Sequence, residues 1–137
     1  MPEADILPDE AEERLTATCR TTVGDQLRSV TYFTRSDFER VYFREDLEQD
    51  VDLMGFIGTE WQDFKLTTDT YQASELGDYR YTLRVFENGY LVRIATDSAG
   101  VVVTTDGLEL RDFDELARAV ASTLDEWQSG GQAESSN

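Results

Sequence analysis

The stretch YRYTLRVFENGYLVRIATD, residues 79–97, constrains the fold more than any other part of the chain. Two runs rich in β-branched and aromatic residues flank Asn88-Gly89, the dipeptide that most strongly marks a two-residue type I′ hairpin turn. Such a turn fixes the register of both strands. It opposes Glu87 to Tyr90, Val85 to Val92, Leu83 to Ile94 and Tyr81 to Thr96 on an apolar face expected to lie against helices. On the opposite face Phe86 meets Leu91, Arg84 meets Arg93, Thr82 meets Ala95 and Arg80 meets Asp97. Like charges placed directly opposite on a sheet are destabilising, so Arg84 and Arg93 need compensation.

The rest of the chain supplies the elements around this hairpin. A helix is predicted from Asp9 to about Val23, entered through Pro8, with acidic residues in its first turn and Gly24 at its end. Leu15, Cys19 and Val23 form its apolar stripe, on which Cys19 reads as a packed small hydrophobe rather than a nucleophile. Residues 28–34 and 40–44 read as two strands joined by the polar RSDF turn. Ser36 and Glu39 also match a capping box, which makes a helix over 37–49 the competing reading. Leu47, Val51, Met54, Ile57 and Trp61 share one face of a second helix, with Glu48, Asp50, Asp52 and Asp63 among its polar positions and Gly55 and Gly58 weakening it. Residues 65–78 show no sustained period and are expected to form a loop carrying the only lysine, Lys65, and an exposed Tyr71. A strand over Val101–Thr105 follows the DSAG turn. The last helix starts at Asp112 and presents Phe113, Leu116, Val120, Leu124 and Trp127.

The order is therefore α-β-β-α-β-β-β-α, which predicts an α+β domain of two layers: an antiparallel five-stranded sheet with helices on one face. Residues 1–8 are expected to be a flexible N-terminus, 9–127 a single domain and 128–137 a disordered polar tail. This order resembles the roadblock/dynein-light-chain and profilin-like group of folds, which implies modules that commonly dimerise or scaffold GTPases and motor assemblies. At the residue level, CRTTVGDQLRSVTYFTRSDFERVYFREDLE and ELGDYRYTLRVFENGYLVRIATDSAGVVVTTDG are similar to a family of small uncharacterised haloarchaeal proteins, over roughly residues 12–127. That resemblance implies a high-salt setting and no particular activity.

Composition agrees with a folded chain in concentrated salt. Leu, Ile, Val and Phe number 33 of 137, about 24%, just above the level of ~20% below which a highly charged chain stays disordered. Twenty-nine acidic residues against twelve basic ones give a net charge of −17, a self-repulsion that concentrated counterions screen. An acidic partner-binding surface in a low-salt organism is the alternative reading of the same charge. One cysteine permits no internal disulfide, and the absence of histidine removes Ser-His and Cys-His pairs and imidazole metal ligands. The acidic run REDLEQDVD lacks the ligand spacing and central glycine of an EF-hand. No P-loop or dinucleotide fingerprint is present, so the sequence assigns no catalytic residue, no metal ligand and no cofactor. There is no membrane-span run and no signal-peptide pattern, from which a cytoplasmic protein is expected.

Function is thus sought at the arginines. The expected site comprises Arg80, Arg84, Arg93, Phe86 and Leu91, joined by Arg40 and Arg44 if the first hairpin lies in the same sheet, with Val102 on the same face. Three readings stand. Local carboxylates neutralise the arginines on a solvated surface. Alternatively, the Arg-and-aromatic face or an exposed strand edge meets a protein partner or a second copy. The third is a small-anion sensor of profilin-like or PAS-like build, with its pocket near residues 65–78. Nucleic acid is not expected, because −17 gives no basic field for phosphate. The sequence favours a non-enzymatic, homodimeric interaction or regulatory module of a halophile.

Overall fold

Fifteen residues from Asp9 to Val23 form helix α1, with the bounds the sequence predicts. Pro8 precedes it in an extended conformation, Asp9, Glu10 and Glu12 occupy the first turn, and Gly24 ends it with φ of 60° while its N–H donates to the Arg20 carbonyl. Leu15, Cys19 and Val23 are buried, and burial pushes the Cys19 thiol up to about 12, which keeps it protonated and inert. The computed structural model describes residues 6–45, 53–96, 98–107 and 109–135.

A short 3-10 turn at Gly24–Gln26 leads into β1 (Leu27–Thr34), which pairs antiparallel with β2 (Phe38–Phe43). The hairpin reading of this segment holds, and no helix forms over its described residues. Val41 is the extra residue of a bulge, since Val30 faces Tyr42 while Thr31 faces Arg40. Helix α2 spans Leu53–Thr70, so residues 65–70 are helical and the irregular connection begins only at Tyr71. Amphipathic spacing continues through Phe64, and Leu66 to Thr70 hold no helix breaker. Leu47, Glu48, Asp50, Val51 and Asp52, assigned to this helix from their spacing, lie outside the described residues. Strands β3 (Thr82–Phe86), β4 (Gly89–Ala95) and β5 (Ala99–Thr105) form the expected meander, and α3 runs Leu110–Ser135. The helical backbone thus continues beyond Trp127, where the sequence suggests the domain ends; extending a formed helix needs one hydrogen bond per residue fixed.

The sheet order is β2-β1-β5-β4-β3, with every pair antiparallel. Two details differ from expectation. The β3–β4 turn is Glu87-Asn88, not Asn88-Gly89: Phe86 faces Gly89, Arg84 faces Leu91 and Thr82 faces Arg93. A two-residue slip leaves the side chains of β3 and β4 on their predicted faces but separates Arg84 from Arg93. Neither Glu87 nor Asn88 has the positive φ of a type I′ turn, and Gly89 serves a different need. A Cβ there would lie 2.5 Å from the Thr105 carbonyl oxygen of β5, so glycine permits close strand approach rather than a left-handed turn.

The second difference is the number of layers. Helices α1 and α3 pack on Val30, Val92, Ile94, Val101 and Val103, whereas Ile57, Trp61 and Phe64 of α2 pack on Phe33, Phe38, Leu91 and Val102 from the opposite face. Helices therefore cover both faces, and the two-layer expectation gives way to α1 and α3 on one side, the sheet between, and α2 on the other. Burial of Val101, Val102 and Val103 alike is the signature of a central strand covered twice.

Gly100 sits at the tightest point of this sandwich. A Cβ there would collide with the ring of the fully buried Phe33 and lie 3.0 Å from the Ala95 Cβ. Gly100→Ala is expected to destabilise the domain by about 1–3 kcal/mol through overpacking. Gly58 is exposed in α2, and a methyl group placed there would meet nothing; Gly58→Ala should stabilise the domain by up to ~1 kcal/mol. Urea unfolding of the two variants should give shifts of opposite sign; a neutral Gly100→Ala would refute the packing described.

Candidate functional site

Arg93 is the centre of the chemistry on the α2 side. Its side chain is fully buried, and a guanidinium without solvent needs both charge and hydrogen-bond partners. Helix α2 provides them, because Glu60 and Asp63, one turn apart, flank the apolar stripe of Ile57, Trp61 and Phe64 on the side nearest β3. One terminal nitrogen of Arg93 donates to the Glu60 carbonyl oxygen at 3.0 Å, to Glu60 Oε1 at 3.0 Å and to Asp63 Oδ2 at 2.7 Å. The other donates to Tyr79 Oη at 2.6 Å and Thr82 Oγ1 at 2.7 Å, and these two hydroxyls also contact each other. The guanidinium carbon lies 6.0 Å from the Phe64 ring centroid.

Arg84 completes the cluster from β3. Its Nε donates to Glu60 Oε2 at 2.9 Å and its NH2 group to Asp63 Oδ2 at 3.1 Å, so two guanidiniums meet two carboxylates and the four charges sum to zero. The hydrogen bond from Arg93, aided by the positive charge of both arginines, holds the Asp63 carboxyl below its ordinary value despite partial burial. Hydrogen bonding to Glu60 raises Arg84 in turn.

The expected arginine face thus divides into separate places. Arg93 and Leu91 lie buried beneath α2, as does Val102, and no partner can touch them in this conformation. Arg84 stays one-third exposed at the rim, and Phe86 is 55% exposed farther along β3. Arg40 stacks over Phe43, 4.6 Å from its centroid, and Arg44 binds Asp106 at 2.7 Å, both at the β2 end of the sheet and far from Arg84. Asp106 is held low by Arg44 and then by Arg28. Arg80 is exposed on the α3 side, and its expected neighbour Asp97 lies outside the described residues. For Arg84 and Arg93, local carboxylates are the answer. The sequence reading missed Glu60 altogether and placed Asp63 only among the polar positions of α2; the available signal was an acidic pair at i, i+3 beside a buried helical stripe. Among the described residues no group of three or more His, Cys, Asp or Glu could hold a metal ion. No described helix is long and apolar enough to cross a membrane.

The family described as Domain of unknown function (DUF7522) matches residues 13–125. The chain belongs to the DUF7522 family. A comparison with curated proteins gives no match. Two solved structures share the fold of this DUF7522 domain. One, described as MglB with tetrameric arrangement, has a TM-score of 0.62 at 13% identity, covering 92% of this chain and 98% of that one. The other, the gliding protein MglB of Thermus thermophilus, has a TM-score of 0.61 at 15% identity, covering 92% and 99%. At such identities the likeness establishes the MglB-like roadblock fold of the DUF7522 domain and nothing about its residues.

Because its native carboxyl lies below the ordinary 3.8, Asp63 takes up a proton less readily folded than unfolded. Its stabilisation is complete above the unfolded value and is lost as pH falls through the folded one. Asp63→Asn should melt lower than wild type at neutral pH, and the difference should shrink as pH falls below the ordinary carboxylate value toward the lower folded one. Parallel curves across that range would show that Asp63 carries no such charge coupling.

Proposed function

We propose that this domain is a small non-enzymatic interaction module that pairs with a second copy of itself along β3. The observation carrying this reading is that β3, last in the sheet order, leaves Val85 70% and Phe86 55% exposed. An edge strand presents unpaired N–H and C=O groups, and proteins ordinarily blunt such edges with charge, bulges or a covering segment.

The other edge is blunted in this way. On β2 the buried carboxylate of Glu39 accepts the backbone N–H groups of Ile6 at 2.7 Å and Leu7 at 2.8 Å, which lays the N-terminal segment against that strand. The Val41 bulge further disturbs it. β3 has neither device among the described residues, and α2 beside it exposes Phe56. Antiparallel addition of a second β3 would extend the sheet and cover Val85 and Phe86. The tetrameric arrangement named for one MglB structure belongs to that protein; it supports the reading that this fold presents surfaces for association.

Regulation through association, rather than chemistry, also suits a chain without histidine. The charge of −17 is read as adaptation to concentrated salt, in keeping with the resemblance to haloarchaeal proteins.

Light scattering in about 2 M KCl, where exposed charges are strongly screened, tests the pairing. The wild-type chain should have twice its monomer mass, and Val85→Lys with Phe86→Asp should halve that mass while leaving the circular dichroism spectrum intact. A monomeric wild type, or an unchanged mass in the double variant, would overturn it. The salt reading predicts a melting temperature that rises from about 0.1 M to about 2 M KCl as self-repulsion is screened. A flat or falling curve would contradict it.

A further inference from the structure

On the face of the sheet opposite α2, a cleft of about 390 Å3 opens between α3 and the chain entering β3. That volume falls within the roughly 300–1,000 Å3 of small-molecule sites. Arg80 and Tyr81 line it from the strand side, and Asp114, Ala117, Arg118 and Asp125 line it from α3.

The charges in this cleft are unevenly satisfied. Arg118 Nε donates to Asp114 Oδ2 at 2.8 Å, closing one pair within the helix. Arg80 and Asp125 are left open: neither makes a hydrogen bond or ion pair with the described residues, and they do not pair with each other across the gap. Of the eleven arginines, only Arg35 shares that condition among the described residues, and it lies in the exposed β1–β2 turn away from any cleft. Tyr81 ties the walls together. Its hydroxyl is pushed up from its ordinary value by burial and then by Asp114, while Arg118 and Arg80 pull it down, so all four groups lie within electrostatic reach.

We propose that this cleft binds a small zwitterion of the α-amino-acid class, its carboxylate on Arg80, its ammonium on Asp125 and its side chain against Tyr81 and Ala117. An arginine fork suits a carboxylate, which it can grip through two parallel hydrogen bonds. A simple anion would face Asp114 and Asp125 as well as the field of a chain at −17, and a simple cation would leave Arg80 unmet. A net-neutral ligand carrying both charges meets neither objection. This site is independent of the β3 edge and stands whether or not the domain pairs there.

Isothermal titration of the full chain with L-phenylalanine tests the assignment, with 3-phenylpropionate and 2-phenylethylamine as analogues lacking one charge each. L-Phenylalanine should bind saturably. Each analogue should bind about tenfold or more weakly, and Arg80→Gln and Asp125→Asn should each cause a similar loss, as expected for a charged hydrogen bond. Both positions are exposed, so the variants should keep the wild-type circular dichroism spectrum and the wild-type solution mass. No saturable heat from L-phenylalanine or L-leucine, equal binding of 3-phenylpropionate, or undiminished binding by both variants would overturn it.

Discussion

A guanidinium buried as completely as that of Arg93 must carry its countercharge with it into the interior, and the rest of this architecture follows from that demand. The countercharge comes from Glu60 and Asp63, thirty or more residues earlier in the chain. Satisfying it fixes α2 across the sheet, with Glu60 itself buried and the apolar stripe of Ile57, Trp61 and Phe64 pressed onto Phe33, Leu91 and Val102. Removing one partner would strand the other in a dry interior, at a cost of about 3–5 kcal/mol, so the cluster specifies the position of α2 more sharply than apolar contact alone. With α2 in place, the arginine face becomes interior. On that side Arg84 at the rim and the edge strand β3 stay open.

The two sheet edges then acquire different characters. Glu39 holds the N-terminal segment against β2, and Arg44 and Arg28 converge on Asp106 to tie β2, β1 and the end of β5 together. Among the described residues β3 is hydrogen-bonded to β4 and, through Arg84, to α2, with Leu83 packed on the α1 and α3 side. An edge strand whose backbone and apolar groups are left unsatisfied is where association is favoured, which is why the proposed pairing is assigned to β3.

Much of this was legible in the sequence. The bounds of α1 follow from Pro8, the acidic first turn and Gly24; both hairpins follow from β-branched runs broken by polar turns; and the α+β order is as read. The hairpin register was not, because Asn88-Gly89 has two uses that look alike in one chain. Glycine was read as supplying positive φ, whereas its role is to let β4 approach Thr105. The second helical layer had a signal that alternation arguments overlook: Val101-Val102-Val103 is a continuous apolar run, which a strand needs only when both its faces are covered. The neutralisation of Arg93 could not be read locally, since its partners sit on a helix whose placement depends on the tertiary fold. Arg40 and Arg44 were grouped with Arg84 by alternation within a strand, and sheet order placed three strands between them.

A double-mutant cycle between Arg93 and Glu60 is the most direct test of the central claim, that their pairing holds α2 on the sheet. Urea unfolding of the wild type, Arg93→Met, Glu60→Gln and the double variant isolates the coupling from the burial of either side chain. The account predicts a favourable coupling of about 1–3 kcal/mol, with the double variant less destabilised than the two single changes summed. Strict additivity would mean that the Arg93–Glu60 pair does not help to fix the place of α2.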